Sequence, residues 1–152
     1  MIALVGARNA SINAIRHAET LVRELGEAGY VIVSGMARGI DAAAHCGAMA
    51  TGTVGVIAGG IDIIYPPENR TLFQQIVDEA LLLAEMRPGT APTTRHFPTR
   101  NRIIASLALG VVVIEAAVKS GPLITAREAG ERGSEVMAIP GSPLDPRSNG
   151  CN

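Results

Sequence analysis

Short runs of apolar residues alternate with longer amphipathic segments along the whole chain. The short runs predict strands at 2–5, 31–34, 53–58, 81–85, 111–115 and 136–139. The intervening segments predict helices at 11–28, 40–50, 69–80, 98–109 and 122–132. Such alternation is typical of βαβ units, whose right-handed crossovers produce a parallel sheet with helices on both faces. We therefore predict an α/β three-layer fold, with a mostly parallel sheet and helices on both faces.

The composition fits a single domain with an aliphatic core. The chain has 152 residues, of which 47% are hydrophobic and only 3% aromatic. Cores built from Ala, Val, Ile and Leu are typical of sheets that are covered on both faces. A chain of this length is the usual size of one domain. We expect residues 1–152 to form one domain.

The sequence carries no pattern for secretion, a membrane span or a metal. Cys46 and Cys151 are far apart and lack metal-ligand spacing, which is typical of reduced cytoplasmic thiols. The N-terminus enters an apolar run without a basic leader. The longest apolar stretch, 103–118, contains polar residues and predicts a helix followed by a strand. We expect a cytoplasmic protein with no metal, no cofactor and no membrane partner.

Charge is nearly balanced overall but unevenly distributed. The net charge is −1, which argues against a protein that simply coats nucleic acid. Segment 61–86 carries five acids and a single arginine, whereas segment 87–102 carries no acid. The latter contains Arg87, Arg95, Arg100 and Arg102. This basic segment is therefore a candidate for contacts with an anionic ligand.

Small residues follow most of the predicted strands. Carboxyl ends of parallel strands meet at one edge of a sheet, where backbone N–H groups and helix N-termini attract phosphates. A glycine taken alone is as readily explained by the geometry of a tight turn. Because several such turns occur together with arginines, we predict a phosphate-binding rim formed by Gly6, Gly35, Gly39, Gly59, Gly60, Ser120 and Gly121.

Segment 95–102 combines basic groups with an aromatic ring. Arg100 and Arg102 lie near the predicted start of a helix, where the dipole favours anions, and a bound phosphate would relieve that conflict. Phe97 is one of only four aromatic residues and offers a base a surface to stack on. We predict DNA contacts at Arg95, Phe97, Arg100, Asn101 and Arg102. In the alternative, Phe97 fills the core and the arginines pair with the acids of 61–86.

Three further charged residues fall at the same predicted edge. Arg8 and Arg38 follow the first two strands and extend the predicted DNA-binding track. Arg38 has an alternative partner in Asp41, one helical turn further on. Glu115, at the end of the fifth strand, is either an acceptor for loop N–H groups or a catalytic acid.

Common nucleotide-dependent enzymes are disfavoured by the turn sequences. The first turn, 6–11, lacks the G-x-G-x-x-G spacing, and the second strand ends in Ser34 where a dinucleotide site needs an acid. No Walker-type lysine motif and no convincing catalytic set of residues is present. We expect no catalytic residues.

Six ordered motifs resemble the DprA/Smf family of DNA-processing proteins. They are VGAR at 5–8, VSGMARGID at 33–41, YPPEN at 65–69, FPTRNRII at 97–104, LITAR at 123–127 and PGS at 140–142. The resemblance covers essentially the whole chain. It implies an extended Rossmann-like domain that binds single-stranded DNA, forms a homodimer and loads the RecA recombinase during natural transformation, without enzymatic activity.

The resemblance also raises two points, the domains that flank this core in the family and an alternative function. Family members often carry a small helical domain before this core and a winged-helix-like domain after it, and we expect both to be absent here. The same superfamily includes lonely-guy-type phosphoribohydrolases, which cleave nucleoside monophosphates. Their P-G-G-x-G-T-x-x-E signature is reduced here to Thr125 and Glu128, so nucleotide binding or cleavage is the alternative function.

Overall fold

A six-stranded, entirely parallel sheet forms the centre of the fold. The computed structural model describes residues 1–152, and the strand order is β4-β3-β2-β1-β5-β6. The predicted fold class is therefore confirmed. The elements are β1 (Ile2–Gly6), α1 (Ile12–Glu27), β2 (Ile32–Gly35), α2 (Ile40–Ala48), β3 (Thr53–Gly60), α3 (Arg70–Glu79), β4 (Leu81–Met86), α4 (His96–Leu107), β5 (Gly110–Ile114), α5 (Gly121–Glu131) and β6 (Glu135–Ile139).

The strand order reverses between β1 and β5. From β1 the chain adds β2, β3 and β4 on one side, and it then returns to place β5 on the other side of β1. The crossovers on the two sides leave in opposite directions, so a crevice opens at the carboxyl ends of β1 and β5. The fold therefore places its main ligand crevice between the turn after β1 and the start of α5.

Helices cover the central strands on both faces. Ala3 and Val5 of β1 pack in one apolar cluster with Ile104 of α4, whereas Leu4 packs in a second cluster with Ala18 of α1. Because successive strand residues face opposite sides, a strand buried on both sides must be apolar throughout. None of the helices has the length and apolar character that a membrane span requires.

The first turn of α4 begins earlier than the sequence predicts. The helix starts at His96 rather than at Pro98, and Arg95 is its N-cap residue. Proline is tolerated in the first helical turn because its missing N–H has no intrahelical partner there. Phe97 is therefore fixed on a helix rather than carried on a loop.

A buried histidine of α2 links the end of β2 to the start of β3. His45 is fully buried, with its Nε2 2.7 Å from the Gly35 carbonyl oxygen and its Nδ1 2.7 Å from the Thr53 hydroxyl. Since a carbonyl only accepts, Nε2 carries the proton and donates, and Nδ1 of the neutral ring accepts from Thr53. Burial lowers the pKa of His45 to about 4.

His45 is expected to make folding sensitive to mild acid. Below about pH 6.5, His45 is protonated in the unfolded chain, whereas in the folded chain it stays neutral down to about pH 4. The free energy of unfolding therefore falls as the pH is lowered from about 6.5 to about 4. The loss amounts to about 3 kcal/mol. Urea unfolding of wild type and His45→Gln measures this loss as the difference between their pH profiles.

The matched control is His17→Gln, an exposed position on α1. Burial raises the pKa of Asp41, so its protonation favours the folded chain as the pH falls. This contribution is the same in wild type, His45→Gln and His17→Gln and cancels in the comparison. A wild-type profile parallel to that of His45→Gln would contradict the buried, neutral state of His45.

Candidate nucleic-acid interface

Two adjoining cavities open at the carboxyl edge of the sheet. The aromatic pocket, lined by Tyr65, Phe97 and Gly59 among others, has a volume of about 50 Å³. The switch-point cleft, at the ends of β1 and β5, has a volume of about 500 Å³. Four residues line both cavities and form their common wall: Arg8, Ala37, Phe97 and Arg100.

Phe97 packs against polar and aromatic neighbours. Its ring centroid lies 5.8 Å from that of Tyr65, with the planes inclined by 48°. The Cζ atom of Arg8 lies 5.3 Å from the same centroid, within the range of a cation–π contact. Phe97 is half-buried and belongs to none of the three apolar clusters. The ring is thus part of the cavity wall and does not fill the core.

Arg100 lies below the cavities, where its side chain is buried. Its Nη1 donates to the Val56 carbonyl oxygen at 2.5 Å, and its Nε donates to Asn101 Oδ1 at 3.0 Å. Burial lowers the pKa of Arg100, while the nearby charge of Asp41 raises it. A side chain at Gly35 would collide with both the guanidinium and the Asp41 carboxylate. Arg100 and Asn101 are therefore held inside the protein rather than on an open surface.

The exposed arginines divide into paired and unpaired groups. Arg38 pairs with Glu68 at 3.5 Å rather than with Asp41, which faces Arg100. Arg102 pairs with Glu85. Arg8 and Arg95 are exposed and form no ion pair. Pairing with the acids of 61–86 thus holds for two of the predicted DNA-binding arginines.

The N-terminus of α1 is occupied by a carboxylate of the protein. Glu115 accepts hydrogen bonds from the Ser11 N–H at 2.8 Å and from the Ser11 hydroxyl at 2.5 Å. Glu115 adopts a φ of 49°, which is uncommon outside glycine and places its side chain over this helix. Of the two interpretations of Glu115, the structure supports the acceptor for loop N–H groups.

The turns after β2 and β3 use their backbone groups internally. The Ile40 N–H at the start of α2 donates to the Ala7 carbonyl oxygen at 3.2 Å. Gly39, with φ 75°, packs so closely on the Ala7 backbone that no side chain fits there. The Gly60 N–H donates to the Thr90 carbonyl oxygen at 2.9 Å. These glycines bring loops together, and they offer a phosphate little free backbone.

The start of α5 has a serine at the N-cap position that does not cap the helix. Ser120 is the N-cap residue, yet its hydroxyl makes no cap hydrogen bond. The Ser120 Oγ atom is buried and has no partner. Ser120, Gly121 and Gly6 line the switch-point cleft. Three of the predicted turn residues therefore meet at one cavity.

Tyr65 and Arg147 help to form these cavities although neither is among the predicted site residues. Tyr65 packs on Phe97, and Arg147 lines the switch-point cleft. The sequence places Arg147 after the last strand, and so on the carboxyl side of the sheet, but it does not show which cavity the side chain lines. Thr125 also lines this cleft, but Glu128 lines neither cavity, so the reduced phosphoribohydrolase signature is not assembled.

Comparison with known proteins gives one consistent family. The profile of the family described as DNA recombination-mediator protein A matches residues 1–152. DNA processing protein DprA of Streptococcus pneumoniae is 47% identical over 153 residues, covering 99% of this chain and 54% of that protein. This chain thus spans about half the length of the curated relatives it matches.

Two solved structures share the fold closely. DprA from Streptococcus pneumoniae superposes with a TM-score of 0.92 at 45% identity, covering 99% of this chain and 53% of the other. DprA from Helicobacter pylori, whose structure concerns its single-stranded DNA binding mode, superposes with a TM-score of 0.91 at 32% identity. The match covers 95% of this chain and 66% of that one.

Two nearby arginines are expected to contribute very differently to stability. Arg100→Met leaves the Asp41 carboxylate and the Val56 carbonyl oxygen without their partner, and should lower the free energy of unfolding by about 3–5 kcal/mol. Arg102→Gln breaks only an exposed ion pair and should cost less than about 1 kcal/mol. Urea denaturation of both variants measures the difference. Equal stabilities would show that Arg100 points into solvent.

Proposed function

The chain belongs to the DNA recombination-mediator protein A family, and we propose that it binds single-stranded DNA at the aromatic pocket and the switch-point cleft. It does so as a homodimer and passes the bound strand to the RecA recombinase during natural transformation and homologous recombination. Its role is to bind and present the strand, with no chemical step. The residues proposed to take part in DNA binding, by contact or through their charge, are Arg8, Arg38, Arg95, Phe97, Arg100, Asn101 and Arg102.

The observation that carries the proposal is the stack of Arg8 on Phe97 in the wall between two cavities. Single-strand binding needs an aromatic surface for a base together with cations for the backbone. The aromatic pocket has room for only a few water molecules, so a base stacks at its mouth beside Phe97. The switch-point cleft has the volume of ordinary small-ligand sites.

The arginines take different parts in this binding. Arg8 and Arg95 are free to contact phosphates directly. Arg38 and Arg102 sit in exposed ion pairs, which are weak enough to exchange a carboxylate for a phosphate. Arg100 and Asn101 are buried, so Arg100 acts through its charge below both cavities and Asn101 orients it.

Selectivity for single strands follows from the position of Phe97. The ring is half-buried at the start of α4, between two concave surfaces. A base reaches such a ring only when it is free to leave its neighbours, which paired bases are not. The net charge of −1 adds no broad attraction for a duplex.

Phe97→Ala should weaken the binding of labelled oligo-dT by about 1–3 kcal/mol, because the base has no ring to stack on. Fluorescence anisotropy over a range of salt concentrations measures this change, and Arg8→Gln should reduce the salt slope by about 0.7 for each phosphate that is no longer neutralised. Tyr30→Ala, an exposed aromatic position after α1, is the matched control and should bind like wild type.

Three outcomes would contradict the proposal. The first is equal affinity for the matching duplex, and the second is an affinity that does not change with salt. The third is no detectable binding of the oligonucleotide together with binding or cleavage of a nucleoside monophosphate. That result would assign the protein to the phosphoribohydrolase class.

A further inference from the structure

The C-terminal segment, residues 140–152, folds back onto the carboxyl edge of the sheet. The Gly150 N–H donates to the Ala116 carbonyl oxygen at 2.7 Å, just beyond β5. Ser148 is buried, and the Gly141 N–H donates to Asn152 Oδ1 at 3.0 Å. The segment thereby brings Arg147 into the wall of the switch-point cleft.

Arg147 is oriented by one carboxylate but keeps free donors. Its Nε donates to Asp145 Oδ1 at 3.0 Å, and its Nη2 donates to Asp145 Oδ2 at 2.7 Å. Its Nη1 has no hydrogen-bond partner in the protein, and 40% of the side chain is exposed. A guanidinium held by one edge presents the remaining N–H groups in a fixed direction, which suits an oxyanion.

A second polar group of the same cleft lacks a partner. The Ser120 hydroxyl oxygen is buried and makes no hydrogen bond, although buried polar atoms are almost always paired. The starts of α1 and α2 are occupied by Glu115 and by the Ala7 carbonyl oxygen, whereas the cap of α5 is not used. Pro122 has no N–H to donate at this helix start, so the binding of an anion here depends on side chains.

The charged groups that line the cleft favour an anion. They are the cations Arg8, Arg100 and Arg147 and the single carboxylate Asp41. Phe97 and Pro98 add apolar surface in the same cavity. Its volume of about 500 Å³ is ample for one nucleotide. A nucleotide here lies next to any base that stacks at the mouth of the aromatic pocket, because the two cavities share a wall.

We propose that the switch-point cleft is a second nucleotide subsite in which Arg147 and Ser120 hold the phosphate of the nucleotide adjoining the one stacked at Phe97. This inference rests on the proposed single-strand binding and adds a ligand-binding role for the C-terminal segment. It implies that the strand runs from the aromatic pocket across Arg8 to the start of α5.

The test is the binding of labelled oligo-dT to charge-matched variants. Arg147→Gln should weaken binding about tenfold, the value of one hydrogen bond to a charged group, and should reduce the salt slope by about 0.7. Arg132→Gln, an exposed position at the end of α5, makes the same change in net charge and should leave both quantities unchanged. Arg147→Lys should keep the wild-type salt slope while losing part of the affinity.

Ser120→Ala separates ligand binding from folding. Because the hydroxyl has no partner, its removal should leave the urea midpoint unchanged or raise it, while oligo-dT binding falls at least about threefold. If wild type binds and Phe97→Ala is impaired, but Arg147→Gln and Ser120→Ala match Arg132→Gln and wild type, the second subsite is refuted and single-strand binding stands. If wild type fails to bind oligo-dT, both proposals fall together.

Discussion

The geometry of the candidate site depends on a buried arginine. Arg100 connects α4 to the Val56 carbonyl oxygen of β3, and its charge faces Asp41 at the start of α2. These contacts fix the first turn of α4, and therefore Phe97, relative to the ends of the central strands. A side chain at Gly35 would displace this guanidinium. The buried charge pair therefore accounts for the glycine at the end of β2.

The same fold binds dinucleotides in other proteins at the helix start after β1. Here the Glu115 carboxylate accepts hydrogen bonds from Ser11 at the start of α1. A phosphate at this helix start would therefore face a negative carboxylate instead of free N–H groups. The Ala7 carbonyl oxygen occupies the start of α2 in the same way. In the proposed binding mode, a ligand with phosphates therefore meets the start of α5 and the arginines, which is a different use of the same fold.

The sequence predicts the fold well because strand and helix periodicities are strong in a sheet that is buried on both faces. It does not separate the roles of Arg100 and Arg102, which lie two residues apart and therefore on different sides of α4. A signal was present: Arg100 precedes the buried Ile104 by four residues and shares its face. Arg147 lies in a segment with no regular periodicity, so only the folded chain shows which cavity it lines.

Charge alone is a weak basis for DNA binding at this edge. Among the arginines that line the cavities, Arg38 is paired with Glu68, Arg147 with Asp145, and Arg100 lies beside Asp41. These carboxylates orient the guanidinium groups and at the same time offset part of their attraction for phosphate. Arg8 has no carboxylate partner and lies against Phe97 instead. If the chain binds single-stranded DNA as proposed, its affinity must come from a base that stacks on Phe97 while the neighbouring phosphates reach the arginines, and a paired base cannot make both contacts.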